Sequence, residues 1–159
     1  MRDRTRQPNN GTPPPGLIRM MLVMLLVATG TRVAPAQIAV VVHPSSPVDN
    51  LTLTELKRIY SGEVTTFSDL CIQTNLGDRF FEVVMDKNMR AVRKIWVKVM
   101  LSGQASQGPI SHNTDEKVLD YIREHEGAIG FIHYENVPDD VKVVRVNGLG
   151  PEQTVYVLK

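Results

Sequence analysis

Five consecutive apolar residues, Ile38-Ala39-Val40-Val41-Val42, closed by His43-Pro44, constrain this chain more than any other feature. β-Branched side chains favour strands, and an unbroken run, unlike an alternating one, fits a strand buried on both faces. The composition is compatible with such a core: 159 residues, 42% hydrophobic and 22% charged, are ordinary globular values. A formal net charge of +1 argues against a dedicated nucleic-acid binder, which carries a basic face. One cysteine, Cys71, excludes an internal disulfide framework.

Residues 1–36 read as a leader. Arg2, Arg4, Arg6 and Arg19 precede an apolar run from Met20 to Ala28, and Ala34-Pro35-Ala36 is a small-x-small cleavage pattern. The run is far short of the roughly 20 residues of a membrane span. An uncleaved anchor is the alternative, and the Pro13-Pro14-Pro15 stretch is compatible with a start at Met20 or Met21 or with a disordered tail. No cysteine follows the cleavage region, so nothing indicates a lipid anchor. The remainder, 37–159, is one domain of 123 residues with 13 basic and 16 acidic side chains, a net charge of −3. Cys71 then reads as a buried small hydrophobe, since export favours paired cysteines.

Leu51 to Ser61 reads as a helix. Thr52-Leu53-Thr54-Glu55 is a capping box, Leu51 and Leu56 sit at the staple positions, and Gly62 stops the helix. Phe67 is an anchor in the following loop. Cys71 to Thr74 reads as a short strand, and Asn75-Leu76-Gly77-Asp78 as a turn into a short helix with Asp78 as its N-cap. A longer helix carries Met89, Val92, Ile95, Trp96, Val99 and Met100 on one face, with Arg90, Arg93, Lys94 and Lys98 forming a basic surface. That surface is either a solvated face or a patch for an anion or partner. Another helix lies between Thr114 and Glu126, with Asp115 and Glu116 stabilising its first turn. Ala128–Ile132, Val141–Val146 and Thr154–Leu158 read as strands. Strands alternating with helices predict an α/β domain with a mostly parallel sheet flanked by helices.

The ordered set Leu51-Thr52-Leu53-Thr54-Glu55-Leu56-Lys57-Arg58-Ile59-Tyr60-Ser61-Gly62, then Ile95-Trp96, Met100-Leu101-Ser102-Gly103 and Gly127-Ala128-Ile129-Gly130-Phe131-Ile132, resembles the phosphate-binding-protein-like family. Those proteins are the substrate-binding components of ABC-type phosphate uptake systems. The resemblance covers Ile38 to Leu158. It implies a periplasmic-binding-protein fold of type 2, in which two α/β lobes close over a ligand. The length here corresponds to a single lobe.

In that family phosphate is held by hydroxyls, an arginine and backbone amides at a helix start. The corresponding stretch here is Asn75 to Arg79. Gly77 would permit close backbone approach, Arg79 would supply a bidentate fork, and Asp78 is either an N-cap or an acceptor for a protonated phosphate. The family's Ser-Gly-Thr-like hydroxyls have no counterpart there. Ser45 and Ser46 follow the first strand and offer hydroxyls at a strand end, or form an ordinary turn. Gly130 either approaches a ligand cleft or allows tight packing. His43, His112, His125 and His133 have no metal-ligand spacing, so no metal or other cofactor is expected.

The expected function is therefore that of an exported, noncatalytic solute-binding protein, periplasmic or secreted. It would bind an oxyanion such as phosphate at a helix N-terminus, using Ser45, Ser46, Asn75, Gly77, Asp78, Arg79 and Gly130. The expected partners are an ABC-transporter permease or other envelope protein, and a second copy of the chain. The alternative is a degenerate single-lobe module that binds an envelope protein.

Overall fold

The computed structural model describes residues 37–159; the leader read in residues 1–36 lies outside them. Six strands form one sheet: β1 (Ile38–Val42), β2 (Asn50–Leu51), β3 (Asp69–Gln73), β4 (Ile110–His112), β5 (Ala128–His133) and β6 (Lys142–Val146). Four α-helices accompany them: α1 (Leu53–Tyr60), α2 (Gly77–Met85), α3 (Met89–Leu101) and α4 (Asp115–Glu124). The strand order is β2-β6-β1-β5-β3-β4. β1 pairs antiparallel with both β5 and β6, whereas β2 with β6, β5 with β3, and β3 with β4 are parallel. Five strands thus run one way and β1 runs against them in the middle of the sheet.

Every residue of β1 is fully buried, as its unbroken apolar run requires. Its alternate side chains enter two separate cores. Ile38, Val40 and Val42 join Leu70, Ile72, Ile129, Phe131 and Val144 beneath α1, α2 and α3. Ala39 and Val41 join Cys71, Ala128 and Ile132 beneath Val118, Leu119 and Ile122 of α4. The larger core centres on aromatic rings. Phe80 stacks on Phe131 with centroids 3.9 Å apart, and Tyr60 meets both edge-on at 5.2 and 6.0 Å. Trp96 Nε1 donates to the Tyr60 carbonyl at 2.8 Å, which fixes α3 against the end of α1.

The α1 capping box forms as read: Glu55 N donates to Thr52 Oγ1 at 3.1 Å and Thr52 N to Glu55 Oε2 at 2.7 Å. Gly62 follows the helix with φ +77°, the left-handed conformation that stops it. Thr154–Leu158 is not a strand. Along β1, β6 covers only Val40–Val42, and in the space left beside Ile38 the segment attaches through one backbone bond, Ile38 N to Leu158 O at 2.9 Å. Tyr156 and Leu158 are still buried.

Cys71 is fully buried, and burial pushes its thiol up to about 12, with the Asp69 charge adding to the shift. Its thiolate fraction at mildly alkaline pH is then roughly a thousandfold below that of a free thiol. Native protein is expected to leave Cys71 unalkylated by iodoacetamide, and denatured protein to react fully. Mass spectrometry reads both, and rapid native labelling contradicts this packing.

Candidate functional site

The carboxyl ends of β3, β4 and β5 share one edge of the sheet because these strands run the same way. Open α/β sheets bind ligands at such edges, where helix N-termini also converge. From β3 the chain turns at Thr74-Asn75 into α2, from β4 at Asn113-Thr114 into α4, and from β5 into a 3₁₀ turn, Tyr134–Asn136.

A buried polar network ties these three turns together. Gln73, 2% exposed, donates from Nε2 to Asp115 Oδ1 at 3.0 Å. Its Oε1 accepts from the amides of Asn75 at 2.6 Å and Leu76 at 3.1 Å. Asp115 Oδ2 accepts from Asn136 Nδ2 at 2.7 Å, His133 Nδ1 at 2.8 Å and His133 N at 3.3 Å. A carboxylate can only accept, so Nδ1 is the ring nitrogen that donates. Four donors and the first turn of α4 together hold the buried charge of Asp115. Gln73, Asn75, Asp115, His133 and Asn136 line one side of an open crevice of about 580 Å³, and Asn75 Nδ2 also donates to Asn113 O at 3.1 Å.

Four of the expected site residues lie at this edge. Asp78 is not the N-cap of α2. Leu76 occupies that position without a side-chain cap, and Asp78 Oδ1 instead accepts from Met89 N at 2.7 Å, the first amide of α3. The other helices are capped by Thr52, Asn88 and Thr114. Gly77 admits a side chain of the protein itself: a Cβ there would lie 2.5 Å from Met89 Sδ. Half-buried Arg79 donates from Nε to the Lys159 carbonyl.

The remaining three lie elsewhere. Because β1 runs against its neighbours, Ser45 and Ser46 sit at the opposite edge of the sheet, where Lys142 Nζ donates to Ser46 O at 2.7 Å and pairs with Asp49 at 2.6 Å. That contact holds the Asp49 carboxyl below its ordinary range. Ser45 Oγ lies 2.7 Å from His43 Nδ1, closing an ordinary turn. Gly130 is interior, where a Cβ would lie 2.9 Å from Val118 Cγ1 and 3.1 Å from Cys71 Cβ. It serves packing between β5 and α4, not a cleft. Sequence reasoning missed Gln73, Asp115, His133 and Asn136 as a group. The visible signal was Gln73, a polar residue directly after the apolar run Leu70-Cys71-Ile72.

The sequence profile of the PBP superfamily domain matches residues 27–156. The Phosphate-binding protein PstS of Bacillus subtilis (strain 168) is 26% identical over 122 residues, 76% of this chain and 39% of that protein. A putative phosphate ABC transporter substrate-binding protein with bound phosphate from Clostridium perfringens superposes with a TM-score of 0.57 at 23% identity, over 72% of this chain and 46% of that one. An ABC-type phosphate transport receptor from Vibrio cholerae gives 0.58 at 20% identity, over 77% and 53%. These likenesses show the fold, and the chain spans about half or less of each relative's length.

Replacing Gln73 by leucine keeps the apolar contacts but leaves Asp115 Oδ1 and the Asn75 amide unpaired. Buried polar groups stripped of partners cost about 1–3 kcal/mol each. Gln73→Leu is expected to lose at least about 2 kcal/mol in urea unfolding, and a variant as stable as the parent contradicts the network.

Proposed function

We propose that this chain, which belongs to the PBP superfamily domain family, is a noncatalytic solute-binding protein that takes an oxyanion, inorganic phosphate first, at the start of α2. Of the two sequence-based readings, the comparisons support solute binding and give the interaction module no support. The relatives are named as a phosphate-binding protein, a putative phosphate ABC transporter substrate-binding protein and a phosphate transport receptor. Export by the leader, a periplasmic or secreted location and delivery to an ABC-transporter permease belong to the same proposal.

The observation that carries the reading is the uncapped start of α2 beside Arg79. An N-cap carboxylate would occupy the amides an anion needs, and Asp78 is turned away onto Met89 N. The amides of Gly77, Asp78 and Arg79 therefore keep the role that helix starts offer to anions. Arg79 contributes charge and a planar fork, and Nε anchored on the Lys159 carbonyl limits its rotamers. Asn75, ordered by Gln73 and Asn113, adds a polar side chain at the mouth. Every element of this reading binds and orients; none breaks a bond.

Isothermal titration of the chain with inorganic phosphate at modest salt is expected to give saturable heat. Arg79→Ala removes a charge-assisted contact worth about 1.5–3 kcal/mol, so affinity should fall at least about tenfold. Absence of heat at millimolar phosphate overturns the proposal, and unchanged affinity in Arg79→Ala moves the site away from α2.

A further inference from the structure

The outward face of α3 is unlike the rest of the described surface. Arg90, Arg93, Lys94 and Lys98 are exposed, and none makes an ion pair among the described residues. They gather positive charge on a domain whose net charge is −3. Among them stand Val97, 50% exposed, and Leu101, 84% exposed, with Met100 beside them at 39%. At 3.6 residues per turn, Arg90, Lys94, Val97 and Leu101 fall within about 60° of the helix circumference, flanked by Arg93 and Lys98. The opposite side of the helix, Met89, Val92, Trp96 and Val99, is buried in the core and holds this face rigid.

We propose that this face of α3 docks on an anionic lipid surface, the headgroup layer of a bilayer that contains acidic phospholipids. Charge complementarity names the partner as an anion with several charges, since four cations lie along one helix. The placement of the aliphatic side chains favours a membrane over an acidic protein segment. Val97 and Leu101 lie on the same line as the cations, so a plane tangent to α3 meets charge and apolar surface together. The boundary between headgroups and acyl chains presents both within a few ångströms of depth. Aliphatic Arg and Lys stems, which with Val97 line a shallow depression here, suit the same boundary. No helix among the described residues is long and apolar enough to cross a membrane.

Flotation of the full chain with vesicles of phosphatidylglycerol in phosphatidylcholine, and with phosphatidylcholine alone, tests this at low and high salt. The chain is expected to float with the anionic vesicles at low salt and to be released at high salt. Each basic side chain near such a surface contributes roughly fivefold in affinity, so Arg93→Gln with Lys94→Gln should weaken partitioning roughly twenty-five-fold. Leu101→Ser should weaken flotation with the anionic vesicles at low salt while leaving the charge of the face unchanged. All these residues are exposed, and circular dichroism checks that the variants fold. Residues 1–36 are unaltered in every variant, so their own membrane affinity is common to all. Equal binding to both vesicle types, or a double variant that floats like the parent, overturns the proposal. A concentration-dependent dimer abolished by the same substitutions also overturns it, because it assigns the face to a second copy.

Discussion

The burial of β1 on both faces is the constraint on which the other elements depend. A strand that sends Val40 into one core and Val41 into another needs two covering layers, and the chain supplies α1, α2 and α3 on one side and α4 on the other. β1 also needs two hydrogen-bonded neighbours, and β5 and β6 take those places. Its direction, opposed to the other five strands, decides which loops share an edge. The turns after β3, β4 and β5 meet at one end, and the serines after β1 are carried to the other.

At the shared edge the protein buries a charge. Asp115 is tolerable there because Gln73 at the end of β3, and His133 and Asn136 at the end of β5 and the turn after it, bring donors to a single carboxylate. The same contacts give Gln73 a second task, since its carbonyl oxygen orders the backbone that leads into α2. The start of α2 is thus set from below by Gln73 and from the side by Asp78, which joins it to the start of α3. Positioning is shared among residues distant in sequence, and the proposed anion contacts would inherit that rigidity.

Features decided locally were legible in the sequence, and features decided across the sheet were not. The Thr52–Glu55 box, the Gly62 stop and the double burial of Ile38–Val42 follow from spacing alone. β2 and β4, with two and three residues, carry no periodicity to read. Asp78 stood where it could cap its own helix or serve the next, and the tertiary position of Met89 decided between them. Gly77 and Gly130 announced close approach without saying by what; the answers, Met89 and Val118, lie on other helices. Gln73 and Asp115 are separated by a helical hairpin and a strand, so their bond had no sequence signature.

The order in which β1 meets its partners has a consequence for how the molecule is made. Val40 pairs with Phe131 and Val144, which lie some ninety or more positions later in the chain. During synthesis the most apolar strand appears early and stays without neighbours until almost the whole domain has emerged. Such non-local pairing slows folding, and an unpaired β-branched strand is a template for aggregation. A chain built this way is most exposed to aggregation while half-made, and its central strand is the segment that carries the hazard.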